Sequence, residues 1–203
     1  MNTRTRQFGN LTGTPRFQYH PQENIVQSVQ DEEFMLLSIG EAKTFLGVKT
    51  DAYDVYIERL IKGVTYLLER YTAKDTQPKV RLAYWSRPNF MVKLPVTPVN
   101  SIVSVKEVLP DGTKKDIPGS GYDIVGIEHI ALRFHVQPQA LEVVYNCGYE
   151  KPPEPYRAAL LQEVALQYKN RQDPSQPGSP DVGGLSVEAR HMLISSGLYD
   201  YAL

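Results

Sequence analysis

The spacing of apolar residues changes twice along this chain of 203 residues. Between Asp51 and Thr72 they recur every three or four positions, which places them on one side of a helix. Between Lys79 and Tyr149 they alternate with polar residues, as in half-buried strands. Helical spacing returns after Pro155. The sequence therefore predicts an α+β fold, in which a small bundle of three to four helices is interrupted by an antiparallel β-rich insertion.

Four segments carry helix signals. Ser38 and Glu41 form a capping-box pattern at the start of a short helix that Gly47 ends. A longer helix is predicted from Asp51 to Thr72, a third from Glu154 to about Arg171, and a last short one from Ser186 to Ile194. The predicted apolar stripe of the long helix is Tyr53, Ile57, Leu60, Ile61, Val64, Leu67, Leu68 and Tyr71. The predicted stripe of the third helix is Leu160, Leu161, Val164, Ala165 and Tyr168.

The insertion contains several runs with β-type alternation. Asp111-Gly112 predicts a tight hairpin turn, because both residues tolerate positive φ. Gly119-Ser120-Gly121 predicts a turn, and Cys147 is expected to be a small buried residue on a strand. The predicted strands are 80–85, 90–94, 102–109, 113–117, 122–125, 130–134 and 141–145.

The pattern divides the chain into four parts. Residues 1–35 form an extended N-terminal arm, and residues 36–78 with 150–171 form the helical core. Residues 79–149 form the inserted β lobe. Residues 172–203 comprise a linker, a short helix and an extended C-terminal arm.

The two arms are the predicted partner-binding segments. Residues 1–30 are polar and interrupted by glycine and proline, so they cannot build a core of their own. An apolar, aromatic tail such as residues 197–203 is expected to dock on a surface. The predicted anchors are Arg4, Arg6, Phe8, Arg16, Phe17, Tyr19, Leu198, Tyr199, Tyr201 and Leu203.

Composition and motifs exclude several classes of protein. A formal net charge of -1 argues against a domain that wraps nucleic acid. No apolar run is long enough to cross a bilayer and no secretory signal is present, so we expect no membrane contact and synthesis in the cytoplasm. The single cysteine excludes an internal disulfide.

The sequence offers little catalytic chemistry. The four histidines, His20, His129, His135 and His191, form no metal-type pair, and we expect no metal or cofactor. No phosphate loop, nucleophile elbow or dinucleotide fingerprint is present. The acidic run Asp31-Glu32-Glu33 has the residue types for hydrolysis, but such runs are more often a solvated surface. We therefore expect no enzymatic activity.

Several segments together resemble the head-tail connector (adaptor) proteins of tailed bacteriophages. The first are Leu37-Ser38-Ile39-Gly40-Glu41-Ala42-Lys43, Phe45-Leu46-Gly47-Val48 and the helix that ends Leu68-Glu69-Arg70-Tyr71-Thr72. Pro95-Val96-Thr97-Pro98-Val99-Asn100-Ser101-Ile102 with the Asp111-Gly112 hairpin looks like the β insertion of many members. Residues 141–149 and the helix from Tyr156-Arg157-Ala158-Ala159-Leu160-Leu161 to Tyr168-Lys169-Asn170-Arg171 look like the closing strand and helix. The resemblance covers about residues 36–171.

The resemblance implies a structural role without catalysis. Members form a homo-oligomeric ring, commonly of twelve subunits, that docks under the portal protein and passes DNA from head to tail. It thus implies a virion neck protein, assembled in the host cytoplasm, with the portal, the next tail component and DNA as partners in genome packaging and ejection. The first 35 residues and the ending Leu198-Tyr199-Asp200-Tyr201-Ala202-Leu203 depart from the family pattern.

A DNA-packaging factor is the alternative function. Arg4, Arg6 and Arg16 in the arm would grip the duplex backbone without sequence preference. Basic and aromatic residues interleave along the sequence between residues 81 and 93 and would extend that surface. They are Arg81, Arg87 and Lys93 with Tyr84, Trp85 and Phe90.

Overall fold

The computed structural model describes residues 27–28, 35–127, 129–170 and 184–199. Most of the predicted N-terminal arm, the predicted linker and the last four residues lie outside the described residues. The helices are α1 (Ile39–Leu46), α2 (Asp54–Thr72), α3 (Glu154–Asn170) and α4 (Val187–Ser195). The strands are β1 (Gln27–Ser28), β2 (Lys79–Trp85), β3 (Met91–Lys93), β4 (Val99–Val108), β5 (Lys114–Asp116), β6 (Tyr122–Val125), β7 (Ala131–Phe134) and β8 (Leu141–Cys147).

The four helices share one apolar core. α3 packs against both α2 and α4, α1 packs against α2 and α3, and α2 and α4 share few contacts. The predicted stripe of α2 is confirmed at its centre, since Ile57, Ile61, Val64 and Leu68 are fully buried. Burying a side chain of this size contributes about 1.5–3 kcal/mol before entropy is counted. The core also includes Leu185, Ala189, Leu193 and Leu198, from the segment predicted as linker, helix and arm.

The β lobe consists of two antiparallel sheets. The five-stranded sheet has the order β1-β2-β8-β4-β5, and the three-stranded sheet has the order β3-β7-β6. In β8 every second residue from Leu141 to Cys147 is buried, as expected for a strand with one face in a core. A second apolar core, distinct from that of the helices, contains residues of both sheets.

The predicted fold class is confirmed, with small differences at element ends. The long helix begins with one 3-10 turn at Asp51–Tyr53 before α2, and Gly119–Gly121 is likewise a 3-10 turn. The predicted strand 90–94 shortens to β3.

The capping box of α1 is present and extends to another helix. The Glu41 backbone N–H donates to Ser38 Oγ at 3.2 Å, and Ser38 N–H donates to Glu41 Oε2 at 3.0 Å. Arg157 of α3 donates to the other oxygen of Glu41. Hydrogen bonds from the Ser38 side chain and backbone, and then from Arg157, lower the pKa of Glu41 from 4.5 to about 2. The carboxylate therefore joins the start of α1 to α3.

The lowered pKa predicts a pH-dependent effect of Glu41→Gln. Because the folded state holds the proton less tightly than the unfolded state, the charged carboxylate stabilises the fold above its ordinary pKa of 4.5. That stabilisation is lost as the pH falls from 4.5 towards about 2. Thermal unfolding from pH 7 to pH 2 should show a difference between wild type and variant that disappears over this range.

Glu154→Gln is the matched control, since its side chain is 83% exposed and lies 3.9 Å from Arg157. A difference for Glu41→Gln that stays constant down to pH 2 would contradict the assignment.

Candidate assembly interface

The helical bundle and the β lobe meet at a buried ion pair. Asp75 lies in the loop between α2 and β2 and is 1% exposed. The Arg81 guanidinium on β2 binds it bidentately, with Nε 2.8 Å from Oδ2 and Nη2 2.5 Å from Oδ1. Burial opposes ionisation of Asp75, but the hydrogen bonds and charge of Arg81 hold its pKa below the usual range. Two hydrogen bonds between charged groups therefore link the helical bundle to the β lobe at this position. We call the region around Asp75 and Arg81 the joint.

A second carboxylate extends this joint to the end of α2. Glu69 Oε1 accepts from the backbone N–H and the hydroxyl of Thr76, at 3.0 and 2.7 Å. Its Oε2 accepts from Lys79 Nζ at 2.7 Å, and Lys79 also lies 3.5 Å from Asp75. Helix, loop and first long strand are thus held by one charged network.

Cys147 of β8 also belongs to this network. Its thiol donates to Asp75 Oδ2 at 3.1 Å. Burial, followed by the nearby charge of Asp75, raises the pKa of the thiol. The prediction of a small buried residue on a strand is confirmed, and the thiol has the additional role of hydrogen-bond donor. A protonated, buried thiol is a poor nucleophile.

Two residues of the predicted nucleic-acid surface, Arg81 and Trp85, are engaged within the folded chain. Arg81 is committed to Asp75, and the indole of Trp85 is 3% exposed. Arg87, Phe90 and Lys93 are exposed, and Tyr84 is half-buried. The predicted alternation of basic and aromatic groups therefore does not form one accessible surface, because Trp85 faces the sheet core and Arg81 faces the joint.

The outer face of α2 is a strip of exposed cationic and apolar side chains. Val55 is 64% exposed and Tyr66 is 60% exposed. At helical spacing these positions share the side opposite the buried stripe, and the strip is roughly 22 Å long at about 1.5 Å per residue. We call it the α2 face, and it comprises Val55, Tyr56, Arg59, Lys62, Gly63, Tyr66 and Arg70.

The charged side chains on the α2 face that have no ion-pair partner among the described residues are positive. Lys62 pairs with Glu58 at 2.9 Å. Among the residues that the structure describes, Arg59 and Arg70 have no ion-pair partner. Arginine and tyrosine are among the residue types most often found at the energetic centres of protein interfaces.

Gly63 interrupts the α2 face in the middle of the longest helix. A Cβ built there would meet no atom within 4 Å, so no described part of the chain requires a glycine. Gly63→Ala should therefore raise the free energy of unfolding by about 0.5–1 kcal/mol, because alanine loses less backbone entropy in a helix. Denaturant unfolding measures this, and a lower midpoint would contradict it.

A second exposed strip lies on α4. Ser186 begins this helix as predicted, with the Ala189 N–H donating to its Oγ at 3.2 Å. Val187 is 56% exposed, and Glu188 and His191 are also exposed. Glu188 has no ion-pair partner within the described ranges. We call Val187, Glu188, His191 and Ser195 the α4 face.

The β lobe also exposes apolar residues, at the hairpin between β6 and β7. Ile127 is 97% exposed and Ile124 is 59% exposed. β6 is an edge strand, paired only with β7 in the part of the chain that the structure describes. An apolar strand edge of this kind is open to pairing with another chain.

Two of the predicted anchors lie in the described residues, and both contact their own chain. Leu198 is buried in the helical core, and its N–H donates to Leu193 O at 3.0 Å. The Tyr199 ring stacks on Tyr71 of α2 with centroids 4.6 Å apart. Their contact with a partner stays a prediction. The other anchors, Arg4, Arg6, Phe8, Arg16, Phe17, Tyr19, Tyr201 and Leu203, lie outside the described residues.

One buried carboxylate was missed in the sequence. Glu163 of α3 is 3% exposed, and its Oε2 accepts from the Ser186 N–H at 3.0 Å, while Gln167 donates to its Oε1. Glu163 thus ties α3 to the start of α4. Its position three residues after Leu160, on the apolar side of the helix, was the available signal.

The described residues contain no metal-binding cluster. No group of three His, Cys, Asp or Glu side chains within them is placed to hold a metal ion. A groove of about 640 Å³ beside α1 contains Lys43, but the hydrogen bonds that its ammonium donates to the carboxylates of Asp51 and Asp54 raise the pKa of this lysine and keep it charged. None of the described helices combines the length and apolarity that a bilayer span requires.

Comparison with known proteins identifies the fold. No protein-family model and no curated protein matches the sequence. A chain from the neck of an empty gene transfer agent particle, computed with C6 symmetry, matches with a TM-score of 0.67 and 18% identity, over 88% of this chain and 97% of that chain. A chain from the virion of a native gene transfer agent particle matches equally well in TM-score and coverage, at 17% identity.

A third structure, the neck of the native particle computed with C12 symmetry, matches with a TM-score of 0.54 and 17% identity, over 76% of this chain and 89% of that chain. The fold of this protein is therefore shared with neck chains over nearly their full length.

Proposed function

We propose that this protein is a structural subunit of a virion neck, a head-tail connector that forms a ring between portal and tail through which DNA passes. The observation that carries the proposal is the fold shared over 97% of the length of a neck chain from a gene transfer agent particle. The resemblance to phage connectors in residues 36–171 supports it independently, because it depends on residue order rather than on the fold.

The exposed surfaces support a role in assembly. Large apolar side chains on α2, on α4 and at the β6–β7 hairpin are uncovered in the single chain. Exposed apolar side chains that lie together on one surface often mark a contact with another protein. The C6 and C12 symmetry of the neck structures with the same fold is consistent with a ring, and we propose twelve copies.

Deletion of the gene should test the role directly. We expect heads that contain DNA but carry no tail or lose their DNA, seen by electron microscopy of lysates, with tailed particles restored by a plasmid copy. Labelled antibody should bind at the neck of wild-type particles. Normal tailed particles without the gene, or label located elsewhere, would contradict the proposal.

A further inference from the structure

We propose that the α2 face of one subunit packs against the α4 face of the next copy of this chain in the ring. The inference depends on the proposed ring-forming role and names the surfaces that make the ring contact. It is carried by two exposed strips of opposite charge on different helices of the same bundle.

The first surface has the composition of an interface centre. Tyr66 and Val55 are more than half exposed, and Arg59 and Arg70 have no ion-pair partner among the described residues. Gly63, between them, leaves open space where a side chain would stand. A glycine in this position allows a second helix to approach the backbone closely, which gives a mid-helix glycine a role that the single chain lacks.

The second surface is complementary in charge and similar in polarity. On the α4 face, Glu188 supplies a carboxylate without a partner in the described ranges, next to the exposed Val187. Pairing it with Arg59 or Arg70 satisfies this carboxylate and one of the two arginines. Val187 in turn covers apolar area of Tyr66 or Val55, so each face provides what the other lacks.

The positions of the two faces suit a ring. α3 packs against both α2 and α4, while these two helices share few contacts, so the strips lie on separate parts of the bundle surface. A contact between two different surfaces of identical subunits is heterologous, and repetition of such a contact closes into a ring when the rotation allows it. A contact of the α2 face with itself would instead make a dimer and would oppose arginine to arginine.

A second copy fits the α2 face better than a DNA backbone does. Duplex DNA would pair with the cations, but it would leave the exposed Val55 and the exposed ring of Tyr66 without apolar partners. It would also leave the α4 face, with its carboxylate, unexplained. Both observations are accounted for when the two strips cover each other.

Cysteine cross-linking in assembled particles tests the contact. Two variants combine Tyr66→Cys with Val187→Cys or with His191→Cys, and a short bis-maleimide is added to purified particles. The native Cys147 is fully buried and is not expected to react. A heterologous contact should give a ladder of dimers, trimers and higher species on a denaturing gel, because every subunit then carries both halves of the link.

Three controls are needed to interpret the cross-linking result. Tyr66→Cys alone should give no ladder, and neither should Ile124→Cys with Val187→Cys, in which the first cysteine is similarly exposed but lies on β6. Immunodetection of the wild-type chain in purified particles tests the proposed function separately. A variant that is present in particles but gives no ladder from either pair overturns the α2–α4 contact and leaves the neck role standing, whereas a wild-type chain absent from particles overturns the neck role.

Charge exchange provides a second test. Arg59→Glu with Arg70→Glu, and separately Glu188→Arg, should each reduce incorporation into particles by more than roughly tenfold, because like charges then face each other. Co-expression of the two variants should restore incorporation, since the contacts of alternating subunits are again of opposite charge. Circular dichroism of each purified variant checks folding. Folded variants that incorporate normally alone, or that are not rescued together, would overturn the pairing.

Discussion

Gly148→Ala is expected to lower the free energy of unfolding by about 3–5 kcal/mol. Gly148 follows β8 at the joint and has φ +102°, a conformation that strains any residue with a Cβ. A Cβ built there would lie 1.9 Å from the carbonyl oxygen of Gln77 and 2.6 Å from its carbonyl carbon. These are backbone atoms, so no side-chain rotation relieves the clash.

The clash should also disturb two hydrogen bonds that hold Gly148 to residues at the start of β4. The Gly148 N–H donates to Pro98 O at 2.8 Å, and its carbonyl accepts from Asn100 Nδ2 at 2.9 Å. Denaturant unfolding of the purified chain gives the measurement. Gly63→Ala is the matched control, with the opposite sign expected, and a Gly148→Ala variant as stable as wild type would show that the joint can move.

Asp75→Ala is expected to have the second large effect, a loss of about 3–5 kcal/mol. Removing the carboxylate leaves the guanidinium of Arg81 largely buried without its bidentate partner, and it also removes the acceptor of the Cys147 thiol. The cost of a buried unpaired charge exceeds the net contribution of the original pair.

Asp123→Ala is the matched control, because Asp123 forms an ion pair with Arg133 at 2.8 Å but both side chains are well exposed. Exposed pairs contribute about 0–1 kcal/mol, so unfolding midpoints of the two variants should differ clearly. If Asp75→Ala with Arg81→Leu is as stable as wild type, the pair serves orientation rather than stability. Equal losses from Asp75→Ala and Asp123→Ala would contradict the assigned burial cost.

Local signals in the sequence predicted most of the fold. Ser38 and Glu41 mark the start of α1, and Gly47, with φ +68°, marks its end. The period of the apolar residues predicted the stripe of α2. These features involve neighbours three or four positions apart, which a single sequence displays directly.

The joint and the candidate interface could not be predicted in the same way. Asp75 binds Cys147, which is 72 positions away, and no spacing rule connects them. The alternation of β2 was interpreted as a basic and aromatic surface, but pairing with β8 places Trp85 in the core. The tail is expected to bind partners because it is apolar, and no local signal showed that its first residues, Leu198 and Tyr199, also pack on the helices of their own chain.

The joint also determines how this architecture can vary. The chain leaves the helical bundle after α2 and returns before α3, and at that point the Tyr149 N–H donates to Asp75 O at 3.2 Å. Exit and return are therefore one hydrogen bond apart. The β lobe is therefore an insertion into the helical bundle whose two ends are held close together. Lengthening a loop that is already closed costs little entropy. Away from the joint, the lobe can accordingly grow or shrink without rearranging the helices on which it stands.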